Sequence, residues 1–144
     1  MATTFVVGTD GSECARRASE LAAAHAREVG GNLTLVAVVE WSRYSFLTPE
    51  ELETRAKEKK AETERAQVQV LDPLKTHLEL GKASVKTLVR HGHAAEVLRD
   101  VAKEEGASQI FIGRHGRSTL EAAVFGSVTN RLLRLTTVPV TVVP

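Results

Sequence analysis

The chain has 144 residues, 42% of them hydrophobic and 26% charged, the proportions of an ordinary water-soluble domain with enough length to bury a core. Nineteen lysines and arginines stand against eighteen acidic residues, so a net charge of +1 gives no electrostatic case for a nucleic-acid or other polyanion partner. The single cysteine, Cys14, excludes an internal disulfide and fits a reducing compartment. No basic-then-apolar leader opens the sequence and no apolar run matches a bilayer, so one cytoplasmic domain over 1–144 without membrane insertion is expected.

A β-rich run at 4–7 leads into Gly8-Thr9-Asp10-Gly11-Ser12, which is turn chemistry. Ser12 is a helix cap, and Ala15, Ala18, Ala22, Ala26 and Val29 follow at helical spacing until Gly30-Gly31 stops them. Residues 33–39 are apolar apart from Thr34, which predicts a strand covered on both faces and therefore parallel. A loop over 41–47 carries half of the few aromatics, Trp41, Tyr44 and Phe46. Thr48-Pro49-Glu50-Glu51 is a capping box with proline at the first helical position. The charged helix it opens runs to about residue 71, with an apolar stripe at Leu52, Ala56, Ala66 and Val70. Asp72-Pro73 kinks or restarts it, and Gly81 ends it. A third strand over 85–89 precedes a helix over 94–105, whose inward residues are Val97, Leu98, Val101 and Ala102 and whose stop is Gly106.

Ile110-Phe111-Ile112 is a short buried strand, followed by Gly113, Gly116 and, nine residues on, Gly126-Ser127. Ser118 and Glu121 form a second capping-box pair that predicts a short helix over 119–125. Gly126 is suited to end it with positive φ, and Ser127 to begin the next helix over 128–135. A strand over 138–143 closes the chain. Strands and helices alternate throughout, which argues for a doubly wound five-stranded parallel α/β sheet with helices on both faces. Ligands of such sheets sit outside the carboxyl ends of the strands. Glycines around a fresh helix N-terminus at a strand end expose amides to the positive end of a helix dipole, the makings of a phosphate site.

The spacing Gly-x2-Gly-x9-Gly-Ser, together with Gly-Thr-Asp-Gly-Ser after the first strand and the Val-Pro-Val-Thr-Val-Val close, resembles the ATP-binding subgroup of the universal stress protein family over essentially the whole chain. The resemblance implies a Rossmann-like fold of the adenine nucleotide alpha hydrolase type. It also implies an ATP site at Gly8, Thr9 and Asp10, at Val38 against the adenine, at Ile112, Gly113, His115 and Gly116, and at Gly126, Ser127, Val128 and Thr129. An aspartate at the position of Asp10 lies by the nucleotide in the family, where a divalent metal such as Mg2+ is able to bridge the phosphates. Gly8 departs from the pattern in lacking a side chain. Pairing of final strands into a homodimer, with higher oligomers conceivable, is the family's mode of association.

Each candidate residue has a plainer role to set beside this. Asp10 is equally suited to capping the first helix beside Ser12, and Arg114 and Arg117 to solvated loop charge. His91-x-His93 lacks a third ligand at a metal-binding spacing. No Gly-x4-Gly-Lys-Ser/Thr loop and no catalytic triad or carboxylate pair is identifiable. The expected function is a nucleotide-dependent sensor or regulatory interaction module of the stress response. The alternative is a slow ATPase or phosphotransferase on the same scaffold, and no catalytic residue is nominated.

Overall fold

A computed structural model of the protein describes residues 2–40, 48–116 and 125–144. The expected loop over 41–47, Arg117, the Ser118/Glu121 pair and all but the last residue of the helix expected over 119–125 lie outside the described residues. Five strands form one parallel sheet: β1 (Thr4–Gly8), β2 (Asn32–Val39), β3 (Ser84–His91), β4 (Gln109–Gly113) and β5 (Val140–Val143). Their order across the sheet is β3-β2-β1-β4-β5, so the chain winds outward one way from β1 to β3 and the other way from β4 to β5. The topological switch falls between β1 and β4.

Successive residues of a strand face opposite sides, and both sides here are apolar. Phe5, Val7, Leu33, Leu35, Ala37 and Phe111 pack on one side with α1 (Glu13–Val29), a π-helical turn (Ala66–Leu71) and α3 (Asp72–His77). Val6, Val36, Ile110 and Ile112 pack on the other with α4 (Ala94–Glu104) and α5 (Ser127–Leu135). The alanines of α1 at 15, 18, 22, 23 and 26 are all buried, which brings the helix backbone close to the sheet. The Ser12 hydroxyl caps it, accepting from the Ala15 N–H at 3.2 Å, and Gly30 ends it at φ 61°.

Several boundaries differ from expectation. Val29 is 57% exposed, because it is the last helical residue and the left-handed Gly30 turns the chain away there. The capping box of α2 (Pro49–Arg65) forms as expected: Thr48 Oγ1 accepts from the Glu51 N–H and Glu51 Oε2 from the Thr48 N–H. Yet α2 buries no residue, and Leu52 is 54% exposed. The apolar stripe becomes a packing surface only at the π-helical turn, where Ala66 and Val70 are half-buried and Leu71 is buried. Proline restarts the helix as α3, which ends at His77 rather than at Gly81. Leu78 turns inward in an extended conformation and is buried, and Gly81 serves the turn that follows. β5 begins two residues late. The Val138 N–H is held by Thr136 Oγ1 at 3.0 Å, and Pro139 has no N–H to give. Among the described residues, no helix is long and apolar enough to cross a membrane.

Candidate functional site

A cavity of about 130 Å³ opens where β1, β2 and β4 end, at the switch point. The residues singled out from sequence, Gly8, Thr9, Asp10, Val38, Ile112, Gly113, His115, Gly116, Gly126, Ser127, Val128 and Thr129, all line it. Three strand ends and the start of α5, separated by up to 121 positions in the chain (Gly8 to Thr129), thus meet in one place.

The β1 end supplies the first wall. Thr9 is buried; its N–H donates to the Val36 carbonyl at 2.9 Å, and its hydroxyl accepts from the Gly11 N–H at 3.2 Å. The turn is thereby fixed to β2. Ser12, not Asp10, caps α1. Asp10 Oδ1 accepts from the Ser12 N–H at 2.9 Å, which orients an otherwise exposed carboxylate. Val38 is half-buried and Ile112 is buried, so together they form an apolar wall.

The glycines do more than clear a path for a ligand. A methyl at Gly113 would lie 2.7 Å from Cys14 Cβ and 2.9 Å from the Ala15 nitrogen, so its missing side chain is required by the first turn of α1. A methyl at Gly116 would lie 2.7 Å from Asp10 Oδ2, and one at Gly8 would lie 2.6 Å from Leu98 Cδ1. The expectation that the strand-end loop leaves its amides open is corrected in two places. The Arg114 N–H donates to the Val143 carbonyl at 2.7 Å, and the Gly126 N–H to the Arg114 carbonyl at 2.8 Å.

Gly126 also does not take positive φ. At φ −64°, ψ 160° it is itself the N-cap of α5, and Ser127 is the first helical residue rather than the cap. The reason is local: a cap has extended backbone while its carbonyl accepts the first helical bond, here from the Asn130 N–H at 2.9 Å. A glycine cap has no side chain to fold back. The amides of Ser127, Val128 and Thr129 therefore lack both an intrahelical partner and a side-chain cap, and all three residues line the cavity. Thr129 anchors this turn: its buried hydroxyl donates to the Gly113 carbonyl at 2.7 Å. Farther along, Arg131 of α5 holds Glu96 of α4, with Nε to Oε1 at 2.7 Å, and this hydrogen bond keeps the Glu96 carboxyl below its usual pKa.

Arg114 is exposed and does not line the cavity. Among the described residues no lysine or arginine lines it, and its ionisable groups are Asp10 and His115. Ser12, Ala15, Val36, Ala94 and Leu98 also line it and were not singled out from sequence. Ser12 sits inside the Gly-Thr-Asp-Gly-Ser run, so its neighbours carried a signal. Ala94 and Leu98 are ordinary positions on an amphipathic helix, with nothing local to mark them. His91 and His93 part company. His93 is the exposed N-cap of α4, whereas His91 Nε2 meets Thr63 Oγ1 at 3.0 Å on the other side of β3.

A family model described as the universal stress protein family matches residues 1–144. The universal stress protein YxiE of Bacillus subtilis is 27% identical over 150 residues, covering 99% of both chains. The solved structure of MJ0577, a protein of Methanocaldococcus jannaschii, superposes with a TM-score of 0.82 at 26% identity, covering 99% of this chain and 96% of that one. The universal stress protein UspA of Lactobacillus plantarum gives a TM-score of 0.76 at 25% identity over 99% and 97% of the two chains. A universal stress protein solved in complex with cAMP shares the fold, with a TM-score of 0.62 at 24% identity over 99% and 96%.

Proposed function

Since the chain belongs to the universal stress protein family, we propose that it is a single-domain ATP-binding member that works as a nucleotide-dependent sensor or regulatory module. The observation that carries this is the meeting of the three α5 amides that have neither an intrahelical acceptor nor a side-chain cap with the β1 and β4 ends in one cavity. The triphosphate rests on the first turn of α5, at Gly126, Ser127, Val128 and Thr129, and on the Gly113–Gly116 turn. Three N–H donors and a helix dipole compensate phosphate charge, and among the described residues no basic side chain lines the cavity. The adenine lies against Val38 and Ile112, beside Gly8 and Thr9. Mg2+, when bound, would neutralise phosphate charge, and Asp10 is the carboxylate placed to hold it. That a protein of this fold has been solved with cAMP is in keeping with an adenine nucleotide as ligand.

The sensor reading is preferred to an enzymatic one because the described lining offers no cationic side chain for a transferring phosphoryl group. Cytoplasmic residence and a homodimer through β5 complete the proposal. Calorimetry with Mg2+ and ATP or GTP tests it. Saturable ATP binding with weaker GTP binding is the expected result, and equal affinities would remove the adenine assignment. Mass spectrometry of ligand retained through purification should find an adenine nucleotide.

A further inference from the structure

We propose that a second cavity, between α1, the π-helical turn and α3, is a ligand site for a small monocarboxylate with a short apolar body. It measures about 310 Å³, within the range of small-molecule sites. Arg16 of α1, Gln69 and Val70 of the π-helical turn, and Pro73, Leu74 and His77 of α3 line it. With the cavity described above it shares Thr9 and Ser12 and no other lining residue. It stands independently of the ATP reading.

Two observations carry it. The first is a cluster of donors. Arg16 Nη2 meets His77 Nε2 at 2.9 Å, and Arg16 Nε lies 3.3 Å from Glu20 Oε1. A guanidinium only donates, so the neutral ring accepts at Nε2 and carries its hydrogen on Nδ1. Glu20 and His77 thus orient the guanidinium. Among the described residues its Nη1 and the Gln69 side-chain amide make no hydrogen bond. The second observation is an apolar wall. Val70, Pro73 and Leu74 recur with His77 at helical spacing, so they share one face. The Asp72 N–H reaches back five residues to the Gln67 carbonyl, and π-helical turns of this kind concentrate at functional sites.

Arg16 and His77 are 48% and 46% exposed, so water competes for them and charge alone holds a ligand weakly. A ligand that also covers the apolar wall gains a second contribution. A carboxylate presents a guanidinium with two oxygens and one charge. Glu20 already offsets part of the Arg16 charge, which favours a monoanion over a phosphate dianion.

The test is an NMR titration of the protein with hexanoate at constant ionic strength, alongside hexanol and inorganic phosphate. Hexanoate should bind saturably with a dissociation constant of about 1 mM, ordinary for a probe of this size, and move the amides of Arg16, Gln69 and Val70. Arg16→Gln should weaken binding about tenfold through loss of a charge-assisted hydrogen bond. Arg99→Gln, on α4 and outside this cavity, should leave it unchanged. The absence of a saturable shift overturns the site, as does an Arg16→Gln protein that binds equally well or an Arg99→Gln protein weakened to the same degree. Hexanol binding as tightly would make the cavity a plain apolar groove, and phosphate binding as tightly a general anion site; either result overturns the carboxylate assignment. Coincident thermal melting of the variants checks that the comparison concerns the cavity.

Discussion

Gly113 and Gly116 lie three positions apart in the same turn, and substituting them should have opposite effects. At Gly113 an added methyl meets Cys14 Cβ and the α1 backbone at Ala15, which has no room to yield. Gly113→Ala should cost about 1–3 kcal/mol of stability, measured by urea denaturation, as overpacking of a rigid contact does. At Gly116 the methyl meets the end of an exposed side chain, Asp10 Oδ2, which is able to swing aside. Gly116→Val should therefore stay within about 0.5 kcal/mol of the unmodified protein while losing ATP affinity. A folded Gly116→Val protein with unchanged affinity would count against the site. Thr129→Val removes the donor to the buried Gly113 carbonyl and should cost about 1–3 kcal/mol, since that acceptor is left unpaired.

At the scale of elements, α2 is held to the sheet chiefly at its C-terminal end. Thr63 Oγ1 donates to the Lys59 carbonyl at 2.8 Å, so toward His91 it accepts, and His91 Nε2 carries the hydrogen. Burial first, and then the neighbouring Lys59 charge, lower the His91 pKa below its ordinary 6.5, with Glu62 opposing. A lowered histidine pKa means that the fold prefers the neutral ring. The associated stability is present above about pH 6.5 and is lost as the pH falls through the folded-state pKa. Protection of the amides of residues 59–65, taken relative to their intrinsic exchange rates, should fall between pH 7 and pH 5, and His91→Gln should flatten that dependence. An unchanged profile in the variant would assign the acid sensitivity to another group.

At the scale of the whole molecule, β5 is one edge of the sheet and β3 the other. The Ile110 N–H donates to the Pro139 carbonyl and the Arg114 N–H to that of Val143, so alternate residues of β5 face β4. The N–H groups of Val140 and Val142 then point away from the sheet. An uncharged, β-branched edge of this kind invites pairing with a second copy about a two-fold axis. Val142→Pro should shift a dimer toward monomer in sedimentation without unfolding it, whereas Thr141→Pro should damage the β4 ladder. A monomer at micromolar concentration for the unmodified protein would defeat the dimer. With Asp10 and His115 as the ionisable groups among the described lining residues, hydrolysis should stay below about one turnover per second. Phosphate release at ordinary enzymatic rates would favour the ATPase alternative.

The element order, the parallel sheet, the two caps at Ser12 and Thr48 and the glycine-loop and strand-end residues around the cavity were legible in the sequence, whereas Ala94 and Leu98, which also line it, were not. The legible features depend on patterns within a few residues: alternation, helical spacing, caps and glycine stops, joined to one long motif. What the motif could not convey is why its glycines are glycines. Gly113 answers to Cys14 and Ala15, 99 and 98 positions away, and Gly116 to Asp10, 106 positions away. The same holds for the amides of Arg114 and Gly126, spent on Val143 and Arg114, and for the Thr129 hydroxyl, spent on Gly113. Leu52 and Val29 fit apolar stripes by spacing but face solvent, because burial requires another element to lie across them. Periodicity expresses the local preferences of a backbone. Which amide, carboxylate or methyl meets which partner is decided only when distant segments are brought into contact by packing.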